Sequence, residues 1–325
     1  MEKILLVSII IPAFNPGRYL SETIKNLLGQ SYKNLEIVVV DDGSSDGFVQ
    51  KAQEEFSGTH GLRFIFQQNR GAASARNKGF LASSGSLIKF MDADDFLNEE
   101  AVQNQVTLAE KNPDAIISSQ WGRFYQDDLS TFTLNPEPVW KDRKGIDWLI
   151  ESLAAGPNMM QPGIFLIPRS HIEKEGLWNE NLSLIDDFEY FSRLISRIPE
   201  IKFCDESTLY YRSGISGNLS GRKSRKAMES AFLSNRLGCE HLLAGKNNGQ
   251  TRRICANLYA VWMYQFYPEH PDLVSHCEEA ILSLGGSSWP YPGGKLTRIL
   301  TLFLPWKQVA DFKNLISKTK SRFKT

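Results

Sequence analysis

The sequence contains few of the residues that build a disulfide framework or a zinc site. Its four cysteines, Cys204, Cys239, Cys255 and Cys277, are scattered over the second half of the chain without a CxxC pair. Its five histidines show no recognisable metal-ligand spacing. We therefore expect buried thiols in a reducing compartment, which favours a cytoplasmic protein without structural zinc.

Neither an excess of one charge nor a long apolar run is present. Lys+Arg and Asp+Glu both number 37, so the basic excess typical of nucleic-acid-binding proteins is missing. No segment reaches the ~18 uninterrupted apolar residues of a membrane span. The apolar start, MEKILLVSIIIPAF, is short and reaches Pro12 without a small-residue cleavage site, which favours a buried strand over a signal peptide. We therefore expect no nucleic-acid partner and no spanning helix.

Apolar, β-rich segments alternate with helical patterns up to about residue 118. The segments are 4–11, 35–40, 62–67, 87–91 and 115–119. Between them, helices are predicted near 19–28 and at 99–111. Continuously apolar strands separated by crossover helices predict an α/β fold with a Rossmann-like, mostly parallel central sheet and helices on both faces. Ligands of such sheets bind beyond the carboxyl ends of the strands.

The rest of the chain changes character near residue 220. Before this point, helices are predicted at 142–153 and 187–197, and strands at 163–167, 201–204 and 209–211. Beyond 213–226 the strand pattern ends, and helices are predicted at 226–244, 251–266 and 272–284. We therefore predict an α/β domain over 1–220, with parts of about 1–120 and 121–220, and a C-terminal helical region over 221–325.

Carboxylates follow predicted strands, or begin a predicted helix, in three places. They are Asp41 and Asp42 in VVVDDGSSDG, Asp92, Asp94 and Asp95 in LIKFMDADDF, and Asp186 and Asp187 in LSLIDDFEYFSRL. Each cluster alone has a structural explanation, since Asp is a common turn former and helix N-cap. Three clusters at one edge of a sheet favour a binding site, because grouped carboxylates repel unless a cation or a hydrogen-bonding ligand compensates them.

The Asp-x-Asp step at 92–94 suits one kind of ligand. One of two alternate carboxylates can face a ribose hydroxyl while the other binds a hard cation that bridges a diphosphate. Mn²⁺ or Mg²⁺ is the expected cofactor, because the site is rich in oxygen and the sequence has no Cys/His cluster.

Two long blocks resemble the signature blocks of family 2 glycosyltransferases. They are VSIIIPAFNPGRYLSETIKNLLGQSYKNLEIVVVDDGSSDG and QNRGAASARNKGFLASSGSLIKFMDADDF, within about residues 6–97, and IDDFEYFSRL is a third block downstream. The resemblance implies the GT-A fold and an inverting transfer from a nucleotide sugar, a UDP-sugar in the first instance. The implied acceptor is a hydroxyl of a glycan or a lipid-linked molecule, as in polysaccharide biosynthesis at the cell envelope.

The same resemblance assigns roles to residues of this sequence. The nucleotide sugar would be bound by Pro12, Ala13, Asn15, Asp41 or Asp42, Gly71, Arg76 and Asp92, and the metal by Asp94. Asp187 would be the catalytic base, oriented or tuned by Asp186, although one of the two can simply cap a helix. The part at 1–120 would bind the donor and the part at 121–220 the acceptor.

Two departures from the family pattern affect these expectations. The Glu that usually precedes the base is Asp186 here, and YYRSGISGNLSGR has Ser213 and Gly214 where many members have a metal-binding His. Asp94 and the diphosphate are therefore expected to hold the metal largely alone. An inverting transfer is a single displacement, so it needs one base and no second carboxylate as nucleophile.

Other functions fit the sequence less well. A dinucleotide-dependent oxidoreductase needs GxGxxG after the first strand, and this chain has PAFNPG there. A sugar nucleotidylyltransferase needs an N-terminal Gly-rich loop with Arg and Lys, which is also missing. A non-catalytic nucleotide-sugar or glycan-binding module is the remaining alternative, although such a module would be expected to lose the metal aspartate or the base.

The last stretch of the chain leaves two interpretations open. Residues 299–306 read ILTLFLPW, and six basic residues against the single acid Asp311 follow from Lys307 onward. An apolar patch with Trp306 beside a basic amphipathic helix is typical of contact with an anionic membrane, here the inner face. The alternative is a helix that packs on the catalytic domain through Val309, Phe312, Leu315 and Ile316.

Overall fold

The computed structural model describes residues 4–214 and 224–322, without the side chains of Arg298, Asn314 and residues 316–322. It contains two compact units, Met1–Thr251 and Arg252–Thr325. The predicted boundary near residue 220 lies outside the described residues and stays a prediction.

Ten strands in the described residues form two sheets. They are β1 (Val7–Ala13), β2 (Leu35–Asp41), β3 (Leu62–Phe66), β4 (Leu87–Phe90), β5 (Phe96–Leu97), β6 (Ile116–Tyr125), β7 (Asp128–Leu134), β8 (Arg143–Lys144), β9 (Ile167–Pro168) and β10 (Glu200–Ser213). The first sheet has the order β3-β2-β1-β4-β9 and is parallel except for β9. The second has the order β5-β10-β6-β7, with β8 paired to β10. The mostly parallel α/β sheet is therefore confirmed.

Twelve α-helices occur in the same residues. They are α1 (Tyr19–Leu28), α2 (Phe48–Glu55), α3 (Ala72–Ala82), α4 (Ala101–Lys111), α5 (Gly145–Leu153), α6 (Arg169–Glu175), α7 (Asp186–Ile195), α8 (Arg225–Gly245), α9 (Gly249–Phe266), α10 (Pro271–Ser283), α11 (Lys295–Phe303) and α12 (Trp306–Arg322). The predicted C-terminal helices correspond to α8, α9 and α10. None of the helices within 4–214 and 224–322 combines the length and the apolarity needed to cross a bilayer.

The core of the first unit lies around β1, whose residues Ile9, Ile10 and Ile11 are fully buried. Helix α3 packs closely on this strand because Gly79 has no side chain: a Cβ there would lie 2.4 Å from Cγ2 of Ile10. The carboxyl ends of the strands are aligned, since Ala13 is in register with Asp41 and Asp41 with Phe66. The loops after these strands therefore meet at one edge.

Three of the predicted strands differ in detail from the structure. The segment predicted as a strand at 163–167 begins in a 3₁₀ turn, Pro162–Ile164, and only Ile167–Pro168 pairs with β4. Pro162 has no N–H for a ladder, and the carbonyl of Gly163 accepts a hydrogen bond from buried Lys89 at 2.7 Å. The strands predicted at 201–204 and 209–211 are one strand, β10, with a bulge between Cys204 and Thr208.

Candidate active site

The loop after β2 places Asp41 and Asp42 at the edge of the first sheet. Asp42 accepts hydrogen bonds at 2.8 Å from the side chain of Gln67 and from the backbone N–H groups of Arg70 and Gly71. These bonds use both of its oxygens to hold the loop that begins α3. The carboxylate of Asp41 accepts one described hydrogen bond, on Oδ1 from the N–H of Ser44 at 2.9 Å. Its Oδ2 is therefore a better candidate for binding a ligand than either oxygen of Asp42.

The loop after β1 is tied to the same edge. Asn15 has a left-handed backbone, with φ of 48°, and accepts a hydrogen bond from the N–H of Ser45 at 2.8 Å. Its own N–H donates to Oγ of Ser44 at 2.9 Å. Pro12 and Ala13 end β1, but the Ala13 side chain is buried and its carbonyl accepts from the N–H of Asp42 at 2.8 Å. Hydrogen bonds therefore connect the loops after β1 and β2 into one continuous surface of the candidate site.

Asp92, Asp94 and Asp95 follow β4. Burial and the neighbouring charge of Asp92 raise the pKa of Asp94 to about 6. Asp95 is buried and accepts a hydrogen bond from the backbone N–H of Arg212 at 3.0 Å, so it is part of the structure beneath the loop. Within the described residues, no group of three or more His, Cys, Asp or Glu side chains is arranged to hold a metal.

A divalent cation fits this loop through Asp94. Burial and the charge of Asp92 disfavour the ionised Asp94 carboxylate, which a bound cation would stabilise, and carboxylate oxygen is a ligand that Mg²⁺ and Mn²⁺ prefer. Because a three-carboxylate cage is not found in the described residues, further ligands would have to come from the nucleotide or from water.

Arg212 is a site residue that the sequence did not reveal. Its side chain is fully buried, its Nε donates to the backbone carbonyl of Asp94 at 2.8 Å, and it forms ion pairs with Glu22 and Asp127. Its guanidinium also lies over the rings of Phe96 and Tyr19. The only signal in the sequence was the Tyr-Arg pair just before Ser213.

The catalytic-base candidate lies at the start of α7. Ile185 has a left-handed backbone, with φ of 54°, and directs the chain into the helix, which begins with Asp186 and Asp187. Burial and the charge of Asp186 raise the pKa of Asp187 to about 7. Asp187 Oδ1 also accepts a hydrogen bond from the N–H of Phe188 at 2.9 Å, so Asp187 contributes to capping the helix as well.

Arg76 joins the two carboxylate clusters. Its Nη1 donates to Asp186 at 2.9 Å and its Nη2 to Asp92 at 3.2 Å. The guanidinium lies 4.4 Å from the centre of the Trp178 ring, which in turn stacks on Tyr190 at 3.9 Å. These buried rings exclude water from one side of Arg76. The sequence predicts Arg76 beside the nucleotide, and the structure places it between Asp92 and Asp186.

The sequence-predicted residues thus form two connected groups at one edge of the first sheet. Direct hydrogen bonds join Asp92, Arg76 and Asp186, and other bonds join Asp42 to Gly71. Ser213, at the position expected for a metal-binding His, accepts a hydrogen bond from Arg123 at 2.9 Å. Trp178 was also missed, because it lies in a segment, GLWNENL, without helix or strand periodicity.

Known proteins resemble the chain in sequence. Residues 8–164 match the model of the family described as Glycosyl transferase family 2. Glycosyltransferase GlyG of Streptococcus pneumoniae is 28% identical over 221 residues, which are 64% of this chain and 70% of that protein. A glycosyltransferase of Rickettsia conorii is 30% identical over 210 residues, 63% of this chain and 33% of that protein. The chain therefore spans about one third of the Rickettsia relative.

Solved structures show the same fold. Staphylococcus aureus TarS 1–349 matches 86% of this chain and 81% of its own with a TM-score of 0.66 at 16% identity. The structure of that protein with UDP-GlcNAc matches with a TM-score of 0.62. The α/β sheet and these structures show the GT-A fold. The match over residues 8–164, just under half of the chain, makes the chain similar to family 2 glycosyltransferases and supports a nucleotide-sugar glycosyltransferase.

Proposed function

We propose that this protein transfers a sugar from a nucleoside-diphosphate sugar to a hydroxyl group in one inverting displacement, with Asp187 as the base. The observation that carries the proposal is the chain of contacts from Asp92 through Arg76 to Asp186, beside Asp187 with its raised pKa. This series of hydrogen bonds connects Asp92, which is suited to binding a nucleotide, with Asp186 and the adjacent Asp187, which is suited to proton transfer.

The environment of Asp187 suits a general base. A base works best when its pKa lies near the operating pH, and the Asp187 pKa is about 7 instead of the ordinary 3.8. Asp186 contributes to this shift by its charge, while Arg76 limits it by binding Asp186 directly. Asp187 would take the proton of the acceptor hydroxyl as the sugar is transferred.

Asp94 would hold Mn²⁺ or Mg²⁺ when the nucleotide is bound. The cation would supply positive charge at the diphosphate and so stabilise the leaving nucleoside diphosphate. In this proposal, Arg212 holds the backbone of Asp94 in place. Asp92 faces the ribose, and Asp41 accepts a hydrogen bond from the nucleobase. Asn15 and Gly71 shape the loops around the nucleotide.

A UDP-sugar is the proposed donor, and UDP-GlcNAc is the first to test. The similar TarS structure is described in complex with UDP-GlcNAc, and another TarS structure with UDP. The proposed acceptor is a hydroxyl of a glycan or lipid-linked molecule in cell-envelope polysaccharide biosynthesis. We propose a cytoplasmic location for the reaction.

The alternative is a nucleotide-sugar-binding module of the same fold without catalysis. The acidic residues at positions 94 and 187 argue against it, because a module that only binds has no use for a base with a pKa near 7. The two functions predict the same affinity for the donor and differ in turnover.

Incubation with UDP-GlcNAc, related UDP-sugars and Mn²⁺ tests the proposal. Release of UDP, increased by an added glycan acceptor and lost in Asp187→Asn, is the expected result. Pyrophosphate chemistry would indicate a nucleotidylyltransferase. Tight donor binding without UDP release across the donor and acceptor panel would indicate the binding module and overturn the proposal.

A further inference from the structure

The second unit contains a helix whose exposed side is more apolar than its covered side. In α11, Leu296, Ile299, Leu302 and Phe303 are 71%, 52%, 78% and 80% exposed. Their spacing places them on one face of the helix. The less exposed positions are Thr297, Leu300 and Thr301. An amphipathic helix in a water-soluble protein normally directs its apolar face to the core, so α11 has the reverse arrangement.

The neighbouring helix explains how α11 is held in this orientation. Trp306, at the start of α12, packs against Tyr264, Tyr267 and Tyr291 with ring centres 5.0, 5.1 and 5.9 Å apart. Val309, one turn later, is buried. One of the two interpretations of the sequence included Trp306 in a membrane-facing patch, but the structure packs its half-buried ring against aromatic residues of its own unit.

The other interpretation, in which α12 packs on the catalytic domain through its apolar face, stays a prediction. Val309 is buried, but Phe312 and Leu315 are 57% and 65% exposed, and the side chain of Ile316 lies outside the described residues. The start of α12 is therefore anchored in the second unit, while its later turns add further exposed apolar side chains.

The charge of this region favours an anionic occupant. Residues 295–325 contain eight basic residues and one acidic residue, in a chain whose total charge is zero. Lys307 pairs with Glu278 at 2.8 Å and Lys313 donates to the carbonyl of Pro292 at 3.2 Å. The sequence still supplies Lys318, Lys320, Arg322 and Lys324 beyond these two. Basic residues next to an apolar helix face attract anionic lipid headgroups.

The size of the face argues against a second copy of the chain as the occupant. The exposed apolar side of α11 consists of four side chains. A stable protein interface takes about 20–30 residues from each partner, so this helix face alone is too small for one. A bilayer needs no matching surface, and a helix lying in its interface gains from each inserted apolar side chain.

We propose that α11 docks the protein on an anionic lipid bilayer. Leu296, Ile299, Leu302 and Phe303 insert at the boundary of headgroups and acyl chains, and exposed Lys295 at the start of the same helix contacts the headgroups. The protein then lies on one membrane leaflet without spanning it. This docking is independent of the transfer reaction, since it uses none of the residues of the candidate active site.

Vesicle sedimentation of the full chain tests the docking. The probes are vesicles of phosphatidylcholine alone and vesicles that also contain phosphatidylglycerol. We expect binding to the anionic vesicles, weakened by salt, and at least about tenfold weaker partition for the triple variant Leu296→Gln, Leu302→Gln, Phe303→Gln. The matched control is Leu282→Gln on α10, which removes an apolar side chain that is 80% exposed and should bind like the wild type.

Several outcomes would overturn the proposal. They are no sedimentation with anionic vesicles, equal sedimentation of the triple variant, or a dimer that dissociates in the triple variant, which would make a second copy the occupant. Circular dichroism and thermal melting of the triple variant check that it is folded. Asp187→Asn should sediment like the wild type, so a failure of docking and a failure of the proposed transfer can be distinguished.

Discussion

The two carboxylate clusters of the candidate site each contain one buried arginine, but the two arginines hold different atoms. Arg212 binds the backbone carbonyl of Asp94, whereas Arg76 binds the carboxylates of Asp186 and Asp92. The carboxylates of Asp94 and Asp187 receive no guanidinium hydrogen bond among the described contacts. Burial raises the pKa of Asp94 to about 6 and that of Asp187 to about 7, and it also raises the pKa values of their neighbours Asp95 and Asp186.

The comparison shows two uses of a buried arginine beside carboxylates. Arg76 binds Asp186, the neighbour of Asp187, and so limits the repulsion between them without bonding to Asp187 itself, whereas Arg212 holds the backbone of Asp94. The two arginines therefore control different properties of the site. A change at Arg212 should move the backbone of Asp94, while a change at Arg76 should alter the charge around Asp187.

The largest effect is expected at the base. Asp187→Asn keeps the size of the side chain but cannot accept the proton, so turnover should fall by about 10²–10⁴-fold. Donor affinity, measured by calorimetry, should stay near that of the wild type. Asp186→Asn is the matched variant, and it should retain more turnover because the base is still present. Turnover of Asp187→Asn close to wild type would move the role of base to another residue.

The second largest effect is expected for metal-dependent nucleotide binding, at Asp94. Asp94→Ala should abolish the dependence of nucleotide binding on Mn²⁺. Removing a residue that only supports a metal ligand costs about 10–100-fold in metal affinity, so removing the ligand Asp94 itself should weaken Mn²⁺ binding by at least that much. Titration of UDP with and without Mn²⁺ measures it, and thermal melting checks the fold. Asp114→Ala, at an exposed position outside the site, is the control. Unchanged Mn²⁺ dependence in Asp94→Ala would contradict the assignment.

A smaller, qualitative effect separates the two arginines. The charge of Arg76 lowers the pKa of Asp187, so Arg76→Gln should raise that pKa. The acidic limb of the pH–rate profile would then move to higher pH. Arg212→Gln should weaken metal-dependent binding and leave this limb in place, because Arg212 is not among the groups that shift Asp187. A limb that moves equally in both variants would show that the clusters are not separately controlled.

The smallest effect concerns stability. The folded state raises the pKa of Asp187 above its ordinary 3.8, so the folded protein keeps a proton that the unfolded chain releases between about pH 4 and pH 7. The contribution of Asp187 to the free energy of unfolding therefore falls as the pH rises from about 4 to about 7, and it stays low at higher pH. Asp187→Asn should raise the melting temperature by about 2–4 °C per kcal/mol relieved. The gain should be larger at about pH 8.5 than at about pH 5.5, and an equal gain at both would contradict the shift.

The sequence predicted the parts of the site that depend on local pattern. Apolar strands followed by Asp41 and Asp92 were visible, because parallel strands bring their carboxyl ends to one edge. Arg212 was not, since it reaches Asp95 across 117 residues and only the pairing of β10 with β5 and β6 brings it there. The strand was predicted at 163–167 because this segment is apolar. The sequence did not show that the segment begins in the 3₁₀ turn Pro162–Ile164, where the carbonyl of Gly163 accepts a hydrogen bond from distant Lys89.

The bridge made by Arg76 limits how this protein can be recombined with relatives. Asp92 is 16 residues from Arg76 in sequence, but Asp186 is 110 residues away. A chimera joined near residue 120 would keep the contact of Arg76 with Asp92 but place a foreign segment where Asp186 lies. The part before residue 120 is thus not independent of the part after it. A designer who exchanges the later part must keep Trp178 and Asp186 with Arg76, or the buried guanidinium loses one of its two carboxylate partners.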